Sequence, residues 1–399
     1  MTSAAPPAVR PSDARTANLS RVLDLLRLSD GLTRAEVSAR TGLSRSTVSS
    51  LLTELLDRAL VQEAPDPTRA AGGRPPAVLR LEPSAGAALG IDIGNTHVRV
   101  VVADLGLGLL AEDLQRVDVT ERPRETLEMV EATVARLLVQ AGVGPGDLLG
   151  AGLGLPGPVD RATGRLGSAT ILPAWVGLAP AAELSARLGC DVLVENDANL
   201  GALAESLHGA GRGSRVLAYV KVATGVGAGL VVDGRLFRGA SGTAGEIGHT
   251  TLSNAGPVCR CGNRGCLEQL AGAPALLAQM AEAGVELESA AALLRLAQDG
   301  HAGARRVLAD AGAHLGVAVA NLVTLLDADR VVIGGEVGRA EELLVGPLRY
   351  AARSAAVTTA GSSIDIVGAQ LGERAEALGG AALVLREPVA LGPALLARR

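Results

Sequence analysis

Aromatic side chains are almost missing from this chain of 399 residues: one Phe, one Trp and two Tyr, 1% in all. Any core must therefore be aliphatic, and the hydrophobic share of 48% can supply it. Lysine is scarcer still. Lys221 is the single one among 37 basic residues, and the scattered arginines make this read as a compositional bias of the source. Four cysteines are too few for a disulfide scaffold in so long a chain. No apolar run of about 18 residues is free of both charge and helix-breaking glycine, so no membrane span is indicated. Met1 to Ser12 lacks the apolar core of a secretion signal. A cytoplasmic location is expected. The high apolar content and a net charge of only −5 exclude a disordered protein, and the length suits two or three domains.

The charge is unevenly spread. Residues 1–80 hold 11 Arg against 8 acidic residues, a net of +3; the remainder holds 26 basic and 34 acidic residues, a net of −8. A mildly basic head on an acidic body fits a nucleic-acid-binding module joined to another domain. Residues 1–14 are Ala/Pro-rich and are expected to be disordered. From Leu19 to Leu28 leucines and Val22 recur at helical spacing, and Asp30-Gly31 ends the run. Thr33 then caps a second helix, with Glu36 completing a capping box. Gly42 supplies a turn, and Ser44 caps a third helix carrying Val48, Leu51, Leu52, Leu55 and Leu56 on one face. Strands at Leu60–Glu63 and Ala77–Leu81 flank a loop with Gly72-Gly73-Arg74-Pro75-Pro76. Together, residues 15–82 read as a winged helix-turn-helix. Arg45, Ser46, Thr47, Ser49 and Ser50 suit base edges and phosphates in a major groove, and Arg74 could reach a phosphate or the minor groove. A helical hairpin used for packing or dimerisation is the plainer alternative.

After residue 85 the pattern becomes α/β. A strand Leu89–Ile93 leads into Gly94, and a comparable start recurs about 130 residues later at Val216–Val222, followed by a glycine-rich turn through Gly229. This suggests two related lobes around a cleft. Asp92-Ile93-Gly94-Asn95-Thr96 can hold a phosphate by its backbone, although a plain hairpin turn explains it equally well. Glu195-Asn196-Asp197-Ala198-Asn199 closes a strand and opens a helix; its carboxylates can act as a general base or bind sugar hydroxyls, while N-capping alone would need only one such residue. Cys259, Cys261 and Cys266 lie within eight positions beside His249. One His and three Cys make a closed tetrahedral zinc set, structural because no position is left for water. Such an ion would stiffen a loop bearing Glu246 and Glu268.

These segments resemble the ROK family (repressors, open reading frames and kinases) from about residue 15 to 390. The resemblance rests on Asp92 to Thr96, Leu155-Pro156-Gly157-Pro158-Val159, Glu195 to Asn199, the Thr224-to-Gly229 glycine run, Glu246-x-x-His249 and the cysteine loop ending at Glu268. The head looks like that of the xylose- and N-acetylglucosamine-responsive repressor branch. The resemblance implies an actin-like (ribonuclease H-like) two-lobe sugar-kinase fold over residues 86–399. Lobe 1 would span about 86–200 plus a C-terminal helix near 375–390; lobe 2 would span about 201–374, with its zinc loop at 249–268. A sugar or sugar phosphate would touch Gly157, Asn196, Asp197, Glu246, His249 and Glu268, with His249 binding zinc through its other nitrogen. Asp197 would be the catalytic base of a kinase. Asp92, Gly94, Thr96, Gly225, Gly227, Gly334 and Gly335 would form the nucleotide site for ATP and Mg²⁺. That site departs from the family pattern at Asn95, His97 and Glu336, which points to its loss or weakening, and Thr170 replaces an Asn that often contacts sugar. The expected function is a sugar-responsive transcriptional regulator, a homodimer or homotetramer on double-stranded operator DNA. An active sugar kinase with a DNA-binding head and a sugar-binding scaffold with a vestigial head are the competing readings.

Overall fold

The computed structural model describes residues 11–66, 68, 75–144, 146–160, 163–167, 172–357 and 364–386. The head contains α1 (Pro11–Arg27), α2 (Arg34–Thr41), α3 (Arg45–Asp57) and an antiparallel ribbon of β1 (Val61–Pro65) and β2 (Ala77–Leu81). The first helix starts inside the stretch expected to be disordered. Proline fits a first helical turn, since the N–H it lacks would have no helical partner there. Thr33 and Glu36 close the expected capping box, and Gly42 at φ 66° turns the chain toward Ser44, which caps α3 by accepting the Thr47 N–H at 3.1 Å. Arg74 and Thr170 lie outside the described residues.

Lobe 1 runs through β3 (Ala87–Ile93), β4 (His97–Asp104), β5 (Leu109–Arg116), α4 (Pro123–Ala141) and β6 (Leu148–Leu155). A small hairpin of β7 (Val159–Asp160) and β8 (Arg165–Leu166), then α5 (Pro180–Leu188) and β9 (Val192–Asn196), complete it. Next comes α6 (Asp197–His208). Lobe 2 has β10 (Val216–Val222), β11 (Val226–Val232), β12 (Arg235–Leu236), α7 (Glu268–Ala271), α8 (Ala273–Glu282), α9 (Ala290–Gln298) and α10 (Ala302–Leu326). It continues with β13 (Arg330–Gly334), α11 (Gly335–Gly338), α12 (Glu342–Ala355) and β14 (Asp365–Gly368), and α13 (Ala375–Arg386) returns to lobe 1.

The two sheets have the same plan. Their strand orders are β5-β4-β3-β6-β9 and β12-β11-β10-β13-β14. In each, the lobe's first strand is central, with an antiparallel meander on one side and two parallel strands on the other. The faint internal similarity of the sequence thus corresponds to a repeated topology. Helices α6 and α13 fill the space between the sheets. They pack backbone to backbone: a Cβ at Gly379 would lie 2.0 Å from the Leu200 carbonyl oxygen, and one at Gly229 would lie 2.2 Å from that of Ala198.

That contact corrects one expectation. The glycine-rich turn was expected to reach Gly229, but strand β11 begins at Val226. Gly229 is there so that α6 can approach the strand, not to form a loop. Helix α10 is long and apolar enough to cross a membrane by length and composition. Its Leu308, Leu315, Val319 and Val323 belong to the lobe 2 core. A Cβ at its Gly312 or Gly316 would strike the α12 backbone, at 2.3 and 2.5 Å from the Leu344 and Leu348 carbonyl oxygens.

Candidate functional site

The carboxyl ends of both central strands open on a cleft of about 1150 Å³, counting space continuous with solvent. Gly157, Asn196, Asp197, Glu246, His249 and Glu268 all line it, as do Asp92, Gly94, Thr96, Gly225, Gly227 and Gly335. Gly334 does not line it: a Cβ there would lie 2.3 Å from the Tyr219 hydroxyl, so this glycine makes room for a ring. Glu336 faces the cleft.

The acidic segment divides its labour. Asn196 ends β9 and caps α6, accepting the Asn199 N–H at 3.2 Å, while its Nδ2 donates to the Gly157 carbonyl at 3.1 Å. The capping reading therefore holds for Asn196, and the same side chain also fixes the Gly157 turn. Glu195 is buried against Arg238 and accepts from Asn199 Nδ2 at 2.9 Å, a structural role. Asp197 opens α6, where unpaired N–H groups favour a carboxylate. Its Oδ2 accepts from Lys221 Nζ at 2.9 Å, and Lys221 lies 3.4 Å from Glu376 Oε1. Burial discourages the Lys221 charge, but Asp197, Glu376 and Asp92 outweigh it and hold the ammonium protonated well above the ordinary lysine range. Tyr219 donates its hydroxyl to Glu376 at 3.1 Å.

The phosphate-type turn is occupied by its own chain. Gly94 donates its N–H to the His97 carbonyl at 3.0 Å, closing the hairpin between β3 and β4. The His97 ring covers Gly94, and its Nε2 is 2.9 Å from Asp92 Oδ2. Burial disfavours charge on both members of this pair. Lys221 and His97 nonetheless lower Asp92, and Asp92 raises His97. Asn95 Oδ1 accepts from Thr224 Oγ1 at 3.0 Å, tying the lobes together at the cleft mouth.

Opposite lies the cysteine loop. The donor atoms of His249, Cys259, Cys261 and Cys266 fall within 4.8 Å of one another, a set that can hold a metal ion. His249 Nδ1 is 3.5 Å from Cys259 Sγ, and Cys261 Sγ is 3.7 Å from Cys266 Sγ. The other ring nitrogen, Nε2, is 4.0 Å from Glu246 Oε2 on the cleft side. Gly265 lets the loop fold tightly: at φ 63°, a Cβ there would lie 1.7 Å from the Ser253 carbonyl oxygen. Burial, then Asp197 and Glu268, push Glu246 up to about 7. Glu268 accepts from Arg260 at 2.5 Å and from the Val226 N–H at 3.2 Å, while its Oε1 has no partner among the described residues. A buried acceptor beside a cluster of carboxylates and amides suits the hydroxyls of a sugar.

The sequence reading singles out none of several charged residues that line the cleft, among them Lys221, Glu376, Arg260, Arg99, Arg116 and Glu373. Lys221 carries a signal as the chain's single lysine, but in the sequence a compositional bias accounts for it equally well. Glu376 is 179 positions from Asp197 and carries no local motif. On the head, Arg45, Ser46, Ser49 and Ser50 are exposed; Thr47 is half-buried, its hydroxyl 2.8 Å from that of Ser44. Thr47 therefore serves the cap as well as the surface.

The sequence profile described as ROK family matches residues 88–387, and one described as MarR family matches residues 17–70. A xylose repressor of Bacillus subtilis (strain 168) is 29% identical, over 89% of this chain and 91% of its own length. A glucokinase of Thermotoga maritima is 31% identical, over 74% of this chain and 96% of its own length. Among solved structures, a ROK family transcriptional regulator described as a homologue of the E. coli MLC protein is 25% identical with a TM-score of 0.80, covering 96% of this chain and 98% of that one. The profile spans both lobes with their cleft and cysteine loop, and the xylose repressor matches across head and body alike: this chain belongs to the ROK family.

Proposed function

We propose that this protein is a transcriptional repressor whose affinity for operator DNA is set by a sugar bound between its lobes. One observation carries the reading: a DNA-reading head and a carbohydrate-type cleft share one continuous structure. Leu23, Leu26, Val37, Leu51 and Leu55 of the head belong to the same buried cluster as Ala88, Leu105, Ala381 and Leu385 of the body. A sugar that prefers one lobe arrangement shifts the population toward it, and a head docked on lobe 1 moves with that lobe. In a homodimer, such movement changes the spacing of two recognition helices against half-sites about 34 Å apart. Relatives named xylose repressor and N-acetylglucosamine repressor support a monosaccharide as effector. DNA as partner implies action in the cytoplasm. Arg45, Ser46, Ser49, Ser50 and the wing residue Arg74 are proposed to meet DNA. Gly157, Asn196, Asp197, Glu246, His249 and Glu268 are proposed to meet the sugar.

Zinc suits the four-ligand set. Zinc–sulfur bonds of about 2.3 Å give tetrahedral sulfur–sulfur edges of about 3.8 Å, near the 3.7 Å between Cys261 and Cys266. When bound, the ion would supply folding free energy and fix the His249 ring, leaving Nε2 for a sugar hydroxyl.

A kinase would use Asp197 as catalytic base, with the Asp92 turn and the glycines serving ATP and Mg²⁺. Lys221 on Asp197, His97 on Asp92 and Glu336 in the cleft all disfavour that chemistry. The decisive experiment measures binding to duplexes selected from a random pool, with and without a panel of monosaccharides, beside a coupled ADP-release assay. Sugar-weakened DNA binding without sugar-dependent ADP release is expected. ADP release lost in Asp197→Asn would establish the kinase instead.

A further inference from the structure

Helix α13 joins the cleft directly to the head. It has 12 residues and, at 1.5 Å per residue, is about 18 Å long. Its first turn carries Glu376, whose buried carboxylate receives the Tyr219 hydroxyl and faces the Lys221 ammonium, both from β10 of lobe 2. Its last turn meets α1 of the head. The Leu385 carbonyl accepts from Arg27 at 3.5 Å, and Arg386 donates to Asp24 at 3.2 Å. Arg27 is itself buried, bonded to Asp24 at 2.7 Å and to the Leu105 carbonyl at 2.8 Å. One short helix thus has an ion pair to lobe 2 at one end and a polar clamp on the head at the other.

The body of the helix cannot absorb a displacement locally. A Cβ at Gly90 would lie 1.7 Å from the Ala377 carbonyl oxygen, and one at Gly152 would lie 2.1 Å from that of Gly380. With its backbone against strands β3 and β6, α13 moves as a unit with lobe 1. Lys221 is the link to the ligand, because the same ammonium holds Asp197 at 2.9 Å. A hydroxyl donated to Asp197 competes with Lys221 for that carboxylate and changes its pull on Glu376.

We propose that Glu376 is a positioning residue that passes sugar occupancy from Asp197 and Lys221 along α13 to Arg27 and Asp24 of the DNA head. The proposal rests on the sugar-responsive repressor reading and names the route of its regulation. Glu376 need not touch the sugar; it reports the state of Lys221. The clamp at Arg27, Arg386 and Asp24 converts movement of lobe 1 into reorientation of α1, and hence of the recognition helix α3, which shares its buried cluster and the Arg15–Glu54 ion pair.

The test uses the full chain, a duplex selected from a random pool by the wild type, and D-xylose, D-glucose and N-acetyl-D-glucosamine as probes. Sugar affinity is read by calorimetry, and DNA affinity is measured with and without saturating sugar. In the wild type the two DNA affinities should differ by a factor of about 5 to 150, the usual range of allosteric coupling. In Arg386→Met, remote from the cleft, that factor should fall below about 2 while sugar affinity stays within about threefold. Glu376→Gln, which keeps shape and a hydrogen-bond acceptor, should lose the coupling factor likewise. A merely structural role would lower thermal stability and leave the coupling factor alone. If both variants keep the full coupling factor, the route is wrong while the repressor reading survives. If Glu376→Gln does not fold, full coupling in Arg386→Met overturns the route by itself. If no probe sugar alters wild-type DNA affinity, the repressor reading fails, and the route with it.

Discussion

Replacing Asp197 with asparagine should destabilise the protein even without ligand, because it leaves a buried ammonium short of charge. Side-chain exposure is 12% for Lys221, 13% for Asp197 and 5% for Glu376, so solvent can replace little. With an effective dielectric of about 20, opposite charges at 2.9 Å attract by about 6 kcal/mol and at 3.4 Å by about 5 kcal/mol, before desolvation is subtracted. Removing one member of a buried pair costs about 3–5 kcal/mol. Here Glu376 remains, and the asparagine oxygen can still accept from Nζ, so a loss of about 3 kcal/mol is expected. The double variant Asp197→Asn/Lys221→Met should recover at least half of it. Recovery stays partial because Glu376 loses its counter-ion and must take up a proton in the same buried site. Urea unfolding of the wild type, both single variants and the double variant gives the coupling free energy. Additive single and double effects, or an Asp197→Asn protein unfolding at the wild-type urea concentration, would refute the reasoning. A residue that serves only as a catalytic base has no reason to stabilise the empty protein.

Cys261→Ser should abolish stoichiometric metal in freshly purified protein and weaken sugar binding by at least tenfold, because His249 loses its anchor; elemental analysis and calorimetry check both. Gly90→Val should lower stability by about 3 kcal/mol or more, since its Cβ alone would overlap the Ala377 carbonyl; unaltered urea unfolding would mean that α13 is not seated as described. Arg45→Ala should weaken DNA binding across sequences and reduce the slope of log affinity against log salt by about one; an unchanged slope removes Arg45 from the phosphate contacts. The His97–Asp92 pair has a definite pH signature. His97 is raised in the folded state, so its contribution is full below the unfolded histidine value near 6.5 and fades as pH rises through the folded value. Wild-type stability should therefore fall relative to His97→Gln as pH is taken from 6 upward, and parallel curves would count against a charged pair.

Much of the head could be read locally because capping chemistry is local. Thr33 with Glu36, Gly42 and Ser44 each act on neighbours within four positions, and each sits where the sequence put it. The candidate metal cluster was legible for the same reason: its four donor residues fall within 18 consecutive positions, and their donor atoms do converge. The glycine run misled because glycine has two uses. Freedom in a turn and close approach of a helix leave the same letter in the chain, and only the seat of α6 against Gly229 separates them. Pro11 misled in a similar way, since an Ala/Pro-rich start suits a disordered tail and a helix N-terminus equally.

The sequence by itself determined the order of modules, the helix caps, the doubled lobe plan and the cluster of candidate metal ligands, all of which depend on short-range pattern or on residue chemistry. Tertiary structure alone decided what Asp197 faces. Lys221, Glu376 and Asp92 come from separate strands and a distant helix, and their charges meet only after two sheets have packed around α6 and α13. The docking of the head was settled in the same way, since Arg27 meets Leu105 and Leu385 across 78 and 358 positions. Electrostatic and packing partners are chosen by distance in space, and distances of this kind leave no periodic trace along the chain.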